Sequence, residues 1–259
     1  MLHGINNRFL YAAILIECDF RDDIGKEKRI TGTAFFVVVA DQIYLVTNRH
    51  VMDLGFTSEK YRKFSLVRVS LWGRFSGDTF QGCELPVTSN KMILSKNELN
   101  DFVCVRSPRL ITANTPQLKL DYTISEEMIA TKEDFERDIT VCDFVAFPGY
   151  PEWYDEVEKR PIFRGGTIAS DPRFNYSYKR NMGDCVAYEA FSFDGSSGSP
   201  VFALQKGIKP GSGIRFLDYR PGRFVGINAG HLPSASASHS GISYFFKSSA
   251  ILSAIQDAT

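Results

Sequence analysis

The segment Gly195-Ser196-Ser197-Gly198-Ser199-Pro200 is a run of small residues that stands directly before the apolar stretch Val201-Phe202-Ala203-Leu204. Glycines flank its serine pair closely, so the backbone can turn tightly and direct its amide N–H groups at one point. Converging amide groups of this kind are what an oxyanion hole requires. The pattern therefore presents the hydroxyl of Ser197 as a candidate nucleophile, and it predicts a strand immediately after the turn.

A serine hydroxyl is a weak nucleophile, so this interpretation requires a neighbouring base and a third group that orients the base. The chain contains four histidines, and only His50 follows an apolar strand pattern, Tyr44-Leu45-Val46-Thr47. The others are His3, His231 and His239. Asp101 supplies a carboxylate directly ahead of another strand pattern, Phe102-Val103-Cys104-Val105. The candidate triad thus runs in the order His50, Asp101, Ser197.

Each of these three residues also has an ordinary structural explanation. A Gly-x-Ser-Gly turn recurs by chance in loops, a histidine often follows a strand, and aspartate is common at turns. The conjunction is more specific than any member of it. His50 and Asp101 are 51 residues apart, Asp101 and Ser197 are 96 residues apart, and this order and spacing argue against coincidence.

Four segments of the chain resemble the chymotrypsin-like serine peptidases. They are Gly32-Thr33-Ala34-Phe35-Phe36, Leu45-Val46-Thr47-Asn48-Arg49-His50, Asn100-Asp101-Phe102-Val103 and Gly195-Ser196-Ser197-Gly198-Ser199-Pro200. Within this superfamily the chain is similar to the short bacterial trypsin-like peptidases related to the HtrA proteases. Those peptidases carry the same kind of turn and a later Gly-Ile-Asn strand, which is matched here by Gly226-Ile227-Asn228. The resemblance implies an all-β fold of two antiparallel six-stranded β-barrels with a C-terminal α-helix, and a site in the cleft between them.

The resemblance also implies the roles of the site residues. Ser197 attacks an amide carbonyl, His50 accepts the serine proton and returns it to the leaving amine, and Asp101 holds the imidazole tautomer. The backbone N–H groups of Gly195 and Ser197 form the oxyanion hole. The expected substrate is therefore a protein or a peptide.

The same resemblance assigns a pocket for the P1 residue, the substrate side chain that precedes the cleaved bond. Its floor falls at Phe191, six residues before Ser197, with Gly241 on the facing strand. Its wall consists of Ala229, Gly230 and His231. An uncharged, shallow pocket predicts small or medium apolar P1 residues rather than Lys or Arg. Two alternatives stay open, in which Phe191 is a core aromatic and His231 is a solvated loop residue.

One position departs from the family members that are activated by cleavage. Where those members carry an aspartate directly before the nucleophile, to pair with the new N-terminus, this chain has Ser196. That ion pair cannot form, so we expect no activation by N-terminal cleavage. Control by an activating protein partner, which orders the loops around the oxyanion hole, is the route that the HtrA resemblance suggests.

Short apolar runs rich in β-branched and aromatic residues recur along the chain, which is the pattern of antiparallel sheet. The predicted strands are 10–17, 33–39, 42–47, 65–72, 102–106, 140–147, 185–190, 201–204, 223–227 and 242–246. Helices are predicted over 125–128 and 247–255. We expect residues 1–115 to form the N-terminal barrel, 116–137 a crossover linker, and 138–259 the C-terminal barrel with its helix.

Composition restricts the partners and cofactors. The chain has 259 residues, of which 44% are hydrophobic, and its 30 basic residues balance 30 acidic ones. This balance predicts neither a nucleic acid nor a membrane as a partner. No two cysteines or histidines fall at metal-ligand spacing, so we expect neither a metal nor another cofactor.

The cysteines and the N-terminal segment predict a compartment. Cys18, Cys83, Cys104, Cys142 and Cys185 are odd in number and widely spaced, which favours reduced thiols over a disulfide framework. Cys104 and Cys142 lie in strand patterns, where packing is their expected role. The apolar stretch 9–16 follows no cluster of positive charge and is too short for a secretory signal, so it predicts the first strand. These observations together predict a cytoplasmic protein.

Two other classes of function stay open on the sequence. A trypsin-like module that is latent or catalytically inactive would keep the barrels for protein–protein interaction, although His50, Asp101 and Ser197 are all present. An ester hydrolase more often carries its serine in the strand-to-helix elbow of an α/β chain, and the strand-rich pattern after Pro200 disfavours this class. Reaction with a serine-directed fluorophosphonate separates an enzyme from a module, and peptide cleavage separates a peptidase from an esterase.

Overall fold

The computed structural model describes residues 6–112, 118–207, 219–233 and 239–258, so His3 lies outside it. Strands of the first half are β1 (Ile14–Arg21), β2 (Glu27–Val39), β3 (Gln42–Thr47), β4 (Ser65–Gly73), β5 (Gln81–Glu84), β6 (Met92–Leu94) and β7 (Val103–Arg106). Strands of the second half are β8 (Phe144–Gly149), β9 (Ile162–Ile168), β10 (Ser177–Tyr178), β11 (Arg180–Asn181), β12 (Cys185–Glu189), β13 (Pro200–Ala203), β14 (Arg223–His231) and β15 (Ile242–Lys247).

Helices make up a small part of the fold. The α-helices are α1 (Arg49–Met52), α2 (Lys132–Arg137) and α3 (Ser248–Asp257), and single 3-10 turns occur at Asn7–Phe9, Leu54–Phe56, Glu59–Tyr61, Val87–Ser89 and Glu126–Met128. The predicted helix over 125–128 is therefore one 3-10 turn, whereas the predicted C-terminal helix is present as α3. No helix in the described part of the chain is long and apolar enough to cross a lipid bilayer.

The first seven strands form one antiparallel sheet in the order β5-β4-β1-β2-β3-β7-β6. Its central strand, β2, has 13 residues and pairs with a different strand along each part of its length. The part from Glu27 to Ala34 pairs with β1, and the part from Ala34 to Val39 pairs with β3. Because successive side chains of a strand point to opposite faces, Phe35 and Phe36 enter two different cores.

This half differs from the predicted six-stranded barrel. It has seven strands, and in the described chain no ladder joins the two edge strands β5 and β6. The edge of β5 pairs instead with the segment that follows β7. Glu84 and Ile111 exchange both backbone hydrogen bonds, at 2.8 and 2.9 Å. The chain that leaves the sheet thus covers the edge on which a barrel would close.

The second half contains a closed six-stranded barrel in the order β12-β15-β14-β13-β8-β9, as predicted for this half. All of its strand pairs are antiparallel. Large aromatic side chains fill it, and the buried ring of Tyr188 contacts those of Phe147 and Phe245. The barrel core is therefore a continuous aromatic cluster that holds the surrounding strands in place.

An apolar cluster joins the two halves. Phe35 of β2 packs edge to face with Phe224 of β14, with ring centroids 5.2 Å apart. Phe102, just before β7, packs in the same manner on Phe246 of β15 at 6.3 Å. Side chains of α3 belong to the same cluster. Edge-to-face pairs add to the free energy gained by burial alone, so this contact binds the halves firmly.

The segment between the halves is hydrogen-bonded to both of them. Ile124 lies beside β2, where it accepts from the N–H of Val38 and donates to the carbonyl of Phe36, each at 2.9 Å. Further along, the N–H of Ala130 donates to the carbonyl of Phe224 in β14 at 2.8 Å. The connecting segment is thus fixed by a parallel bridge to one strand of each half.

Three strand predictions are wrong at their first residues by four residues or more. The strand β2 begins at Glu27 rather than at residue 33. The strand β1 begins at Ile14 rather than at residue 10, because a 3-10 turn and a further turn precede it. The strand β8 begins at Phe144 rather than at residue 140. Before it, the N–H of Asp143 donates to the carbonyl of Thr140 at 3.2 Å and closes a turn. Cys142 lies in this turn with φ 64° and is exposed, so its predicted packing role in a strand is also wrong.

The other four cysteines are buried, and all five are free thiols. Cys104 packs in the cluster between the halves, as predicted. Burial raises the pKa of the thiols of Cys83, Cys104 and Cys185 to about 12. These thiols are therefore protonated at neutral pH and behave as small apolar side chains.

A buried ion pair gives a test of how the barrel is stabilised. Arg220 Nη2 lies 3.2 Å from Asp143 Oδ2, and the two side chains are 6% and 5% exposed. Removal of one partner leaves a buried charge uncompensated, so Asp143→Ala should lower the free energy of unfolding by about 3–5 kcal/mol in urea denaturation. The matched control, Asp171→Ala, breaks an exposed pair with Arg173 and should cost at most about 1 kcal/mol. Equal losses in the two variants would contradict this account.

Candidate active site

Two of the candidate residues meet directly where β3 ends. The chain leaves β3 at Thr47 and enters α1, which carries His50. Asp101 lies just before β7 and is 9% exposed. Its Oδ1 accepts the backbone N–H of His50 at 2.8 Å, and its Oδ2 lies 2.5 Å from His50 Nδ1. One carboxylate therefore fixes both the backbone and the ring of the candidate base, which leaves Nε2 as the ring atom for proton transfer.

The loop that carries Asp101 is held from both halves. Asn48 Nδ2 donates to the Asp101 carbonyl at 2.6 Å. Asn100 exchanges two hydrogen bonds with Asp184, the residue before β12, at 2.8 Å to the carboxylate and 2.9 Å from the N–H. Asn97 also donates to this carboxylate, at 3.0 Å. The position of the Asp101 backbone thus depends on contacts with the first and the second half.

The surroundings of His50 raise its pKa above the ordinary value of 6.5. Burial alone would lower this pKa, since it disfavours the charged imidazolium. The negative charge of Asp101 and the hydrogen bond to its carboxylate outweigh burial, and the charge of Asp194 adds to the increase. The imidazolium that forms when His50 accepts a proton is therefore stabilised.

Thr33 of β2 joins the turn that carries Ser197 to the first half. The N–H of Thr33 donates to the Ser197 carbonyl at 2.8 Å, and the Thr33 hydroxyl donates to the Gly195 carbonyl at 2.8 Å. The Thr33 carbonyl accepts the hydroxyl of Thr47, the last residue of β3, at 2.8 Å. Thr33 thus places the candidate nucleophile beside the strand that leads into His50.

Two glycines permit this close approach. At Gly198, which has φ +89°, a Cβ would collide with the Thr33 carbonyl. At Gly32, a Cβ would lie 3.2 Å from the Ser197 carbonyl oxygen and 3.0 Å from Val51, the residue after His50. Only a residue without a side chain suits the first position, because both its space and its φ exclude a Cβ.

Ser197 is joined to β2 through its carbonyl, and in the described chain it makes no hydrogen bond to the His50–Asp101 pair. Within the described residues, none joins the Ser197 hydroxyl to the His50 ring, although Ser197 and His50 both lie against β2 and its neighbour β3. In unliganded sites such a bond is often long, and it tightens only when substrate is bound. The arrangement is therefore compatible with proton transfer once a substrate orders the site.

The backbone amides of the turn 195–199 divide into two groups. Three have partners: the N–H of Ser196 donates to Phe193 at 2.9 Å, that of Gly198 to Asn228 at 2.9 Å, and that of Ser199 to Ser196 at 3.1 Å. For the N–H groups of Gly195 and Ser197, the described chain offers no acceptor. These two are the groups that the family resemblance assigns to an oxyanion hole. Two unpaired donors in a turn that satisfies its other amides can receive a negatively charged oxygen.

The predicted pocket residues gather beside this turn. Phe191 lies opposite Gly241, where an added Cβ would be 3.9 Å from the Phe191 ring. Phe191 is 57% exposed and therefore is not a core aromatic. Ala229, Gly230 and His231 form the end of β14. His231 is half-buried and stacks on another histidine, His239, with ring centroids 4.2 Å apart.

Sequence reasoning missed His239, which lies among the predicted pocket residues. Its ring contacts that of Phe191, with centroids 4.9 Å apart, and stacks on that of His231. Its Nδ1 accepts the N–H of Gly241 at 2.8 Å. Burial, together with the neighbouring His231 and Arg164, lowers the pKa of His239, so the ring is neutral at pH 7. Its position two residues before the pocket glycine was the only signal that could have identified it.

Ser196 stands where an activation aspartate would lie. Its side chain is 1% exposed, and its hydroxyl oxygen has no hydrogen-bond partner within the described chain. This position is therefore both neutral and enclosed. The described residues also contain no cluster of three or more His, Cys, Asp or Glu side chains that could hold a metal ion.

The fold is that of the trypsin-like serine proteases. The thermostable serine protease AL20 from an extremophilic microorganism is similar with a TM-score of 0.56 at 13% identity, over 97% of this chain and 98% of that chain. Protease Anisep from Arthrobacter nicotinovorans is similar with a TM-score of 0.58 at 13% identity, over 94% of each chain. No family model matches the sequence, and neither does any curated protein. At this identity the likeness concerns the fold alone.

Titration of His50 tests the pairing with Asp101. In an NMR titration we expect the His50 midpoint above 6.5, and Asp101→Asn should move it below 6.5, because the charge is lost and burial then dominates. Since the folded pKa is raised, the pair stabilises the fold below the unfolded pKa, and this stabilisation is lost as pH rises through the folded pKa. The control Asp171→Asn should leave the midpoint in place. An unchanged midpoint in Asp101→Asn would rule out the pairing.

Proposed function

We propose that the chain is a serine endopeptidase that hydrolyses peptide bonds through His50, Asp101 and Ser197. One observation carries this proposal: within the described residues, the N–H groups of Gly195 and Ser197 are the only two in the turn 195–199 without acceptors, and they lie beside the candidate nucleophile. The 2.5 Å contact between His50 Nδ1 and Asp101 Oδ2, which orients the candidate base, further supports this proposal. The trypsin-like fold is the scaffold on which such a site is expected.

The reaction follows from these positions. Ser197 Oγ attacks the carbonyl carbon of the amide while His50 Nε2 takes the hydroxyl proton. The carbonyl oxygen gains negative charge and is received by the N–H groups of Gly195 and Ser197. His50 then gives its proton to the leaving amine, and an acyl-enzyme remains. A water molecule, deprotonated by His50, attacks the acyl carbon, which releases the acid and restores the Ser197 hydroxyl.

We further propose that N-terminal cleavage does not activate this enzyme. Ser196 is neutral and enclosed, so it offers no charge to a newly formed N-terminus. Activity would instead be controlled by a protein partner that orders the loops around the oxyanion hole. The cleft would lie between lobes 1–115 and 138–259, with 116–137 as the link. Relation to the bacterial HtrA proteases and a cytoplasmic location stay predictions of the sequence.

Removal of the nucleophile tests this function. The purified chain should react with a fluorophosphonate and cleave unfolded casein, and Ser197→Ala should abolish both, a loss of about 10⁴ to 10⁶ in rate. The matched control is Ser199→Ala in the same turn, whose buried hydroxyl makes no hydrogen bond within the described chain, and both activities should persist there. Labelling without peptide cleavage would indicate an esterase. No labelling of the native chain would refute a constitutively active enzyme and leave a latent enzyme that awaits its partner or a non-catalytic interaction module.

We also propose a preference for small or medium apolar P1 residues. The ring of His239 stacks on His231 and contacts the tilted ring of Phe191 where the pocket is expected, and we expect these three rings to make it shallow. The lowered pKa of His239 keeps the central ring uncharged. A long cationic side chain would gain neither depth nor a buried carboxylate from these three rings.

Peptide p-nitroanilides that differ only at P1 would measure this preference. We expect kcat/KM for Ala or Val to exceed that for Lys or Arg by about tenfold or more. Phe191→Ala should deepen the pocket and shift the preference towards Leu and Phe. Phe144→Ala, which removes an aromatic ring on β8 that is 68% exposed, should leave the ranking unchanged. The fastest turnover after Lys or Arg would refute this preference.

A further inference from the structure

We propose that Asn228 and Tyr188 are positioning residues, which fix the direction of the Ser197 N–H from the core of the second barrel. The inference rests on the proposed function and extends it, because neither residue belongs to the triad or to the pocket. Both are fully enclosed, with Tyr188 0% and Asn228 1% exposed. A polar side chain in such a place must have its hydrogen bonds satisfied, so its partners indicate its role.

A directed chain of hydrogen bonds leads from the barrel core to the turn. The hydroxyl of Tyr188 donates to Asn228 Oδ1 at 2.7 Å. Asn228 Nδ2 then donates to the carbonyl of Ser196 at 2.8 Å. The reversed amide would place Asn228 Oδ1 against the Ser196 carbonyl oxygen, and two acceptors repel each other. The Ser196 carbonyl therefore selects the orientation of the Asn228 amide, and the bond that Tyr188 donates to Oδ1 stabilises that orientation.

The direction of the Ser196 carbonyl decides the direction of the Ser197 N–H. In a planar trans peptide the C=O and the following N–H point in opposite directions. The Ser196 carbonyl is drawn to Asn228 Nδ2 and also accepts the N–H of Ser199 at 3.1 Å. The Ser197 N–H must then point away from Asn228, where it stays free to receive an oxyanion.

The side chain of Asn228 has no other function in the turn. Its backbone N–H donates to the Ser199 carbonyl, and its carbonyl accepts the Gly198 N–H, each at 2.9 Å. Any residue at this strand position can make these two contacts. Only the bond to Ser196 requires a side-chain donor, so the amide at position 228 serves the peptide that precedes Ser197.

The other donor of the candidate hole is fixed differently. The carbonyl before the Gly195 N–H, that of Asp194, accepts the N–H of Glu152 at 3.2 Å. Glu152 is exposed, in the loop after β8, and Trp153 beside it packs on Phe193 at 4.5 Å. One donor is therefore set by a surface loop and the other by the barrel core. Because Ser196 carries no charge, the Tyr188–Asn228 pair takes the place of an ion pair beneath the turn.

Three variants test this role through the second-order rate constant of fluorophosphonate labelling. Asn228→Leu keeps the size of the side chain without the donor, and it should lower the rate constant by about 10²-fold, the lower end of the cost of a lost oxyanion donor. Tyr188→Phe should lower it by about tenfold, since the Asn228 amide stays but is no longer held. The matched control, Tyr44→Phe, removes the hydroxyl of a buried tyrosine in the first half and should change the rate constant less than twofold.

Two readouts separate positioning from loss of stability. A merely structural role would lower the fraction of protein that can be labelled, whereas positioning lowers the rate constant and leaves the pH midpoint set by His50 unchanged. The double variant Tyr188→Phe with Asn228→Leu leaves no orphaned hydroxyl, so its Tm should recover relative to Asn228→Leu while labelling stays slow. Recovery of the rate constant together with Tm would overturn the inference.

Failure of this inference differs from failure of the proposed function. If the native chain is labelled and neither Asn228→Leu nor Tyr188→Phe slows the reaction, the inference falls and the peptidase stands. If the native chain is not labelled, crystal structures of the native chain and Asn228→Leu decide the geometric claim. A rotated Ser196 carbonyl in the variant supports it, and a carbonyl in the same direction refutes it.

Discussion

The candidate site depends on one contact between the halves, the contact of Thr33 with the turn that carries Ser197. Thr33 uses its N–H, hydroxyl and carbonyl at once, on Ser197, Gly195 and Thr47 respectively. These bonds bring the central strand of the first sheet against a turn of the second half, and His50 follows Thr47 by only a few residues. The contact therefore joins the oriented base to the unpaired amides, which lie in different halves of the chain. The glycine at position 198 is part of the same constraint, since its missing side chain makes the space for Thr33.

The turn 195–199 lowers the stability of the fold, and the packing around it offsets this loss. The hydroxyls of Ser196 and Ser199 are buried without partners in the described chain, and an orphaned buried group costs about 1–3 kcal/mol. The N–H groups of Gly195 and Ser197 also have no acceptor in the described chain. The barrel core offsets this with the aromatic cluster around Tyr188 and with the hydrogen bonds of Asn228. A rigid, well-packed core beneath a partly unsatisfied turn is the arrangement that catalysis by fixed dipoles requires.

Features that depend on the local sequence could be predicted, whereas features that depend on contacts between remote segments could not. A glycine-flanked serine turn and a histidine after an apolar strand could be read without the fold, because φ and strand alternation are local properties. Cys142 was misjudged because three alternating residues resemble a strand, whereas the turn bond between Thr140 and Asp143 ends it. The seventh strand and the covered edge depend on pairing between remote segments. His239 and Asn228 were missed for the same reason, since each has its role through residues far away in the sequence.

The connecting segment constrains motion as well as topology. A linker that only tethers two lobes lets them swing about it, which is the default expectation for lobes with a small, polar contact. Here the linker is bonded to β2 and to β14, and the aromatic rings of Phe35 and Phe224 pack against each other between the halves. A hinge motion of the halves would break these backbone bonds and expose an apolar core. The relative position of the halves is therefore set by folding, and access to the candidate site can vary through surface loops such as the one that carries Glu152 and Trp153.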